Sequence, residues 1–429
     1  MERKHFCSIA KKFKTTGLFD IFGSSIIVKV IGFLSSIILV RLVSKESYGI
    51  FSYAWNIYSI VMLMSGFGAL YAVLQLGSEK PDDIVFKKNI YQYAWNNGAG
   101  INFFLGVVLL GIGLFLPLKI SNAALLLCLM CFLPFVQYGS EYQTMYLRTE
   151  RKNRQYGQAN ILNVGLVLIF SVIGAVAWEE KGFIFGRYVA YIALAIIGIL
   201  AWRVPIAFKR VKLDKQSKKE FWYIALVSMI NGGISQLLYL ADVFVLGIVI
   251  SDEIMIASYK VATTIPTALS FIPTALVTYI FPYFAKHKDD GKWCLKYYGI
   301  VTACMATLNG AIVLVLVFGA EFIIGFMFGT QYLDAVLPFR ILAINYFFSG
   351  TFRAIAGNLL VTQRKLGFNT FVAFFSGIAN IILDVVLIIK YNSVGAAYAT
   401  LSVVLLSSFL NVGYLLYVYF KKSRKEGKV

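Results

Sequence analysis

The chain is a succession of apolar runs of about twenty residues divided by short polar breaks, the length one α-helix needs to cross a hydrocarbon core of roughly 30 Å. Cutting at the breaks gives twelve segments, near 18–43, 49–76, 89–116, 123–147, 159–178, 183–202, 221–250, 256–284, 297–318, 335–361, 367–389 and 395–420. These runs are too long and too continuous for the alternating strands of a membrane barrel. With 59% apolar and 14% charged residues, the chain departs from soluble composition along its whole length. An all-α integral membrane protein of twelve transmembrane helices is expected.

Basic residues test the cut, because cytoplasmic flanks collect Lys and Arg. With the N-terminus inside, 30 of the 40 basic residues fall in inside segments and 5 in outside ones. The remaining 5 lie within helices, and the bias alternates without exception. Both termini are therefore expected to be cytoplasmic, and the net charge of +19 becomes a topological address that requires no nucleic acid. Arg3, Lys4, Lys11, Lys12 and Lys14 precede a run too long for a signal peptide and lacking a small-residue cleavage pattern, so an uncleaved first helix is expected.

The two halves repeat. Thr149-Glu150-Arg151-Lys152 and Thr362-Gln363-Arg364-Lys365 are 213 residues apart, as are Gly182 and Gly395, which open the sixth and twelfth segments. Ser44-Lys45-Glu46 with Ser52-Tyr53 is echoed by Ser251-Asp252-Glu253 with Ser258-Tyr259. The expected organisation is an N-terminal six-helix lobe over 1–202, a basic cytoplasmic linker over 203–220 and a C-terminal six-helix lobe over 221–429. The lobes are expected to be pseudo-symmetric, with substrate held between them near mid-membrane and exposed to each side in turn.

Ionisable groups inside a membrane cost roughly 2.5–3.5 kcal/mol each at lipid, so they normally face protein or water. Segment 1 carries Ser25, Lys29, Gly32 and Ser36 on one face, and segment 2 carries Ser52, Asn56, Ser59 and Gly66. Segment 7 carries Ser228, Asn231, Ser235, Tyr239 and Asp242, and segment 8 carries Lys260, Thr264, Thr267, Thr274 and Thr278. The candidate substrate-binding residues are Lys29, Asn56, Asn231, Tyr239, Asp242, Lys260 and Arg353. Lys29 has no acid nearby in sequence and is the first choice for an anionic group. Asp242 and Lys260 are expected at similar depth, as an ion pair or as cavity residues. Arg187 and Arg340 are placed near outer helix ends, where long basic side chains reach for water. Arg353 and Asp384 lie deeper, and Glu141 belongs to a stripe with Gln137, Thr144 and Arg148.

Other chemistry is missing. Cys128 and Cys131 have C-x-x-C spacing but sit in an apolar run without a second ligand pair, and His5 and His287 fall outside the segments, so no metal site is expected. No G-x-x-x-x-G-K-[ST] occurs, and short loops leave no room for a catalytic domain. No catalytic residue, cofactor or enzymatic activity is expected.

Arg41-Leu42-Val43-Ser44-Lys45-Glu46-Ser47-Tyr48-Gly49 resembles the R-L-x-x-x-E-x-Y-G signature of polysaccharide transporters, the O-antigen and lipid-linked oligosaccharide flippases of the multidrug/oligosaccharidyl-lipid/polysaccharide superfamily. Ala241–Gly247, Ala257-Ser258-Tyr259, Phe281-Pro282, Phe328–Ala335, Arg364-Lys365 and Gly395-Ala396-Ala397 extend the resemblance, in order, over the chain. It implies a V-shaped pair of lobes around a cavity lined by segments 1, 2, 7 and 8. The implied cargo is an oligosaccharide on undecaprenyl diphosphate, as for O-antigen, capsule or a similar repeat unit, moved from the inner to the outer leaflet of the bacterial cytoplasmic membrane. Coupling to H⁺ or Na⁺ stays open. A monomer is expected, with polymerase and chain-length proteins of the same pathway as candidate partners. A multidrug or cation antiporter of the same superfamily is the alternative, followed by a membrane glycan polymerase or ligase.

Overall fold

The computed structural model describes residues 18–206 and 211–426. The basic N-terminal residues, His5 and the Ser235 side chain lie outside what it describes. Among the described residues the secondary structure is helical throughout, with no strand. That is how a chain in hydrocarbon satisfies every backbone N–H and C=O internally. Among the described residues, eight helices are long and apolar enough to cross a membrane, or nine if the bent pair Asn122–Leu129 and Leu133–Thr149 counts as one span.

Two compact units divide the chain at Leu237–Leu238. The first holds α1 (Leu18–Leu42), α2 (Lys45–Met62), a 3₁₀ turn (Ser65–Gly68), α3 (Ala69–Glu79), α4 (Ile84–Phe115), α5 (Ser121–Leu129), α6 (Leu133–Thr149) and α7 (Asn153–Leu200). The division falls inside α8 (Lys215–Val249), beyond the boundary expected from the basic linker. The physical reason is that the first turns of α8 pack into the first unit's core, where Phe221 is fully buried edge-on to Tyr93 and the Trp222 indole donates to the Tyr93 hydroxyl at 2.9 Å. The second unit continues with α9 (Glu253–Leu269), α10 (Phe271–Lys286), α11 (Gly291–Phe318), α12 (Ala320–Phe328), α13 (Val336–Phe348), a π-turn (Ser349–Arg353), α14 (Ala354–Thr362) and α15 (Leu366–Glu426).

The 213-residue offset recurs in the backbone. The long helices α7 and α15 each contain a break, at Glu179 (φ 48°, ψ −126°) and Asn392 (φ 56°, ψ −135°). Arg151 and Arg364 both adopt positive φ, at 55° and 57°. Left-handed conformations are uncommon outside glycine, so two such matches in register argue for a true repeat. Arg151 and Arg364 close the same helix-ending motif: Lys152 N–H bonds Leu147 O at 2.9 Å, and Lys365 N–H bonds Leu360 O at 3.0 Å.

Glu150 and Gln363, one residue earlier, each receive an ammonium. Lys87 Nζ meets Glu150 at 2.7 Å, and Lys422 Nζ meets Gln363 Oε1 at 2.7 Å and Lys288 O at 2.6 Å. Burial pushes the Glu150 carboxyl up, but the Lys87 ammonium and the Tyr91 hydroxyl outweigh it and hold the group below its ordinary value.

After each break the chain folds back in close contact. A Cβ on Gly182 would lie 1.8 Å from Gly174 O, and one on Gly395 2.1 Å from Leu387 O, the equivalent position. Only glycine permits these helix crossings. Gly182→Ala is expected to destabilise the protein by about 1–3 kcal/mol through overpacking. Gly165→Ala, in open space on the same helix, should be neutral or slightly stabilising. Thermal unfolding of the detergent-purified variants checks this, and equal melting temperatures would refute the close approach.

Candidate functional site

In the N-terminal half, Ser44 starts α2 by accepting the Ser47 N–H at 3.1 Å, which turns the chain sharply after α1. The signature residues Arg41–Gly49 form this corner, with Tyr48 buried. On α1, Ser25, Lys29 and Gly32 remain exposed. No carboxylate among the described residues lies within 4 Å of Lys29. The stripe on α2 behaves differently. Ser52 and Asn56 are 4% and 3% exposed and point into the interior of their own half, whereas the partly exposed face carries Trp55 and Ser59.

Helix α2 ends in a 3₁₀ turn in which Gly66, Phe67 and Gly68 all take positive φ, at 51°, 46° and 77°. Gly68 also lies so close to Ala225 O that a Cβ would sit 2.2 Å from it. Beside the break, Ser65 Oγ donates to Asn102 Oδ1 at 3.1 Å and lies 3.5 Å from Glu141 Oε2. Glu141 Oε1 accepts from Gln137 Nε2 at 2.7 Å, and Gln137 Oε1 accepts from the Tyr58 hydroxyl at 2.7 Å. Glu141 is thus held by Gln137 and Ser65. Arg148, its other stripe partner, lies over Tyr156 instead.

Two expectations for Arg187 and Arg340 separate here. Arg340 does sit at a helix end, with Nε donating to Val317 O at 3.1 Å and the guanidinium 3.6 Å from Glu321. Arg187 turns inward, with its guanidinium 3.8 Å from the centroid of Trp55. A cation on an aromatic face gains about 2 kcal/mol when desolvated, which competes with reaching for water.

In the C-terminal half, Asp242 leaves the stripe that predicts it. It is 7% exposed, while Tyr239, one turn earlier, is exposed. Asp242 Oδ2 accepts from the Tyr259 hydroxyl at 2.7 Å and the Thr400 hydroxyl at 2.6 Å, and Oδ1 accepts from Asn380 Nδ2 at 2.9 Å. The same Asn380 amide donates to Asp384 Oδ2 at 2.7 Å. Asp384 is fully buried, and its Oδ1 has no hydrogen-bond partner among the described residues. Two buried carboxylates bridged by one amide repel each other, and any positive charge brought close, from Lys260, a proton or a small monovalent cation, relieves the repulsion. The oxygen donors of Asp242, Asp384 and Thr400 suit a hard ion.

Lys260 follows Tyr259 on α9, half-buried and within electrostatic reach of Asp242, but makes no ion pair within 4 Å. The ion-pair alternative for Asp242 and Lys260 is thereby replaced by Tyr259, Asn380 and Thr400. Asn380 and Thr400 escaped the sequence reading, and Tyr259 entered it through the repeat and the Ala257-Ser258-Tyr259 motif, not as a partner of Asp242. The only available signal was the i, i+4 spacing of Asn380 and Asp384 inside an apolar run. Arg353 ends the π-turn, half-buried, with no carboxylate among the described residues within 4 Å, and Asn231 is exposed.

The sequence profile of the polysaccharide biosynthesis protein family matches residues 15–288. The chain belongs to that family. Its fold is similar to that of the lipid II flippase MurJ in an inward closed conformation, with a TM-score of 0.73, 15% identity, and 94% of this chain and 89% of that one covered. It is also similar to an inward-facing multidrug resistance MATE family transporter of the MOP superfamily, with a TM-score of 0.71, 10% identity and coverage of 91% and 95%. A third similarity is to a MOP superfamily transporter from Pyrococcus furiosus described as having a binding pocket of reversed polarity, with a TM-score of 0.60, 12% identity and 95% of each chain covered. No functionally curated protein matches the sequence. This polysaccharide biosynthesis family member therefore has a fold similar to those of a lipid II flippase and of MOP superfamily transporters.

Proposed function

We propose that this protein is a flippase that moves undecaprenyl-diphosphate-linked oligosaccharide from the inner to the outer leaflet of the bacterial cytoplasmic membrane by alternating access. In this reading twelve spans form two six-helix lobes flanking the linker 203–220, with both termini cytoplasmic, and the protein acts as a monomer that delivers its cargo to the polymerase and chain-length proteins of the same pathway. The observation that carries the reading is the state of the intramembrane cations. Lys29, Lys260 and Arg353 lie in helices that the protein would place in the membrane, yet none forms an ion pair among the described residues, and Lys29 is exposed. A diphosphate head group supplies the missing negative charge. Asn231 and Tyr239, both exposed, offer hydrogen bonds to sugars.

One observation favours a second reading. The Asp242–Asp384 cluster is the type of site an H⁺ or Na⁺ antiporter of the same superfamily needs, although a flippase driven by the same gradient needs it equally. Deleting the protein separates the two. Accumulation of lipid-linked oligosaccharide in the inner leaflet, with surface glycan lost, is the expected result. Unchanged leaflet distribution with new sensitivity to cationic dyes would replace the flippase by the antiporter.

A further inference from the structure

The basic residues above answer the charge of a lipid-linked glycan but not its sugar rings. A pyranose has an apolar C–H face that packs on an aromatic ring and an edge of hydroxyls that pair with carboxylate, amide and guanidinium groups. Such a combination exists within the N-terminal half, on α2, α6 and α7, where Gln137 and Glu141 of the α6 stripe meet Trp55 and Arg187, which belong to no stripe.

Trp55 is its centre. The ring stacks at 4.7 Å on Tyr58 and at 5.8 Å on Phe51, carries the Arg187 guanidinium at 3.8 Å, and stays partly exposed. Polar groups border it in a chain from the Tyr58 hydroxyl to Gln137 and on to Glu141. Glu141 and Arg187 both lie within electrostatic reach of Tyr58 and Tyr191 but do not pair with each other within 4 Å. Arg187 Nε is buried and hydrogen-bonds nothing among the described residues.

Depth argues against a lipid-facing surface. Trp55 lies ten residues along α2, about 15 Å from its start, and Arg187 eight residues past the break at Glu179, about 12 Å. Both are thus near the middle of a roughly 30 Å core, where lipid does not accommodate a guanidinium cheaply. A purely structural Arg–Glu pair would close up. Here the two ions stay apart, with Glu141 held by Gln137 and Ser65 and with Arg187 lying on Trp55 beside Tyr191 while its Nε goes unused, which is the arrangement of a site awaiting a polyhydroxylated guest.

We propose that Trp55 stacks on a sugar ring of the transported glycan while Arg187, Gln137 and Glu141 hydrogen-bond its hydroxyls. This rests on the flippase reading and adds the part of the site that recognises sugar, as distinct from head-group charge.

The test uses the full-length protein in nanodiscs and two probes: the oligosaccharide released by mild acid from the host's own lipid-linked glycan, and undecaprenyl diphosphate without sugar. The released oligosaccharide is expected to bind the unmodified protein and shift its tryptophan emission. Trp55→Leu should weaken that binding at least tenfold, and Arg187→Lys, which loses the planar fork, should do likewise. Trp55→Phe should retain most of the affinity, and undecaprenyl diphosphate should bind all variants equally. Equal melting temperatures for Trp55→Phe and Trp55→Leu separate a binding defect from misfolding, and if Leu fails to fold, Arg187→Lys carries the comparison. Unchanged oligosaccharide affinity in Trp55→Leu or Arg187→Lys, in a protein that still translocates the lipid-linked form, would overturn the subsite and leave the flippase standing. Failure of the unmodified protein to bind either probe or move the lipid-linked form would overturn both.

Discussion

Lys29→Gln is expected to reach normal abundance and fold normally, yet to lower delivery of lipid-linked oligosaccharide to the outer leaflet by about ten- to a hundredfold. The range follows from losing one hydrogen bond to a charged group, roughly 1.5–3 kcal/mol, at about 1.4 kcal/mol per tenfold. Stability should be spared because Lys29 is exposed on α1 and no carboxylate among the described residues lies within 4 Å of it, so its removal strands no partner. Lys29→Arg keeps the charge and should restore part of the activity, whereas Lys29→Glu should fall below Lys29→Gln by adding repulsion to a diphosphate. Quantifying the glycan in each leaflet, alongside protein level by immunoblot, makes the comparison. Unimpaired delivery in Lys29→Gln would remove Lys29 from head-group binding.

The fold was largely legible because its strongest signals are one-dimensional. Apolar runs mark helices through the hydrophobic requirement alone, and the repeat at Thr149–Lys152 and Thr362–Lys365 announces itself because both copies end a helix with the same left-handed residue. What the sequence conceals is which way a polar stripe faces. Ser52 and Asn56 share a helical face suited to a cavity, but a polar side chain in a membrane is satisfied as well by a neighbouring helix as by water, and these two turn inward. Asp242 extends the stripe of Tyr239 by helical spacing, yet its partners Asn380 and Thr400 lie 138 and 158 residues away, a distance no local pattern spans. Arg187 posed the same difficulty, since its position along α7 is compatible with reaching water or with turning onto Trp55, and only the packed neighbour decides.

Asp242 is where that concealed geometry has its largest consequence. Asp242→Ala removes the acceptor shared by the Tyr259 hydroxyl, the Thr400 hydroxyl and Asn380 Nδ2. A buried donor left unsatisfied costs about 1–3 kcal/mol, so even with Asn380 retaining Asp384 the loss should reach about 3 kcal/mol and is expected to depress both folded protein and transport. Asp242→Asn is the sharper variant. Its amide oxygen still accepts from Tyr259 or Thr400, so the helices should stay together, but the second carboxylate is gone. If a proton or Na⁺ completes the Asp242–Asp384 pair, transport by the unmodified protein in proteoliposomes should depend on pH or on Na⁺, and this variant should fold and yet lose that dependence. The partner set also fixes the pattern of couplings. Combining Asp242→Asn with Thr400→Val should depart from additivity by about 0.5 kcal/mol or more in thermal unfolding, whereas combination with Lys260→Gln should be close to additive. Strong coupling to Lys260 with none to Thr400 would reinstate the ion pair that spacing alone suggests, and would move the charge of Asp242 from a buried ion site back toward the substrate.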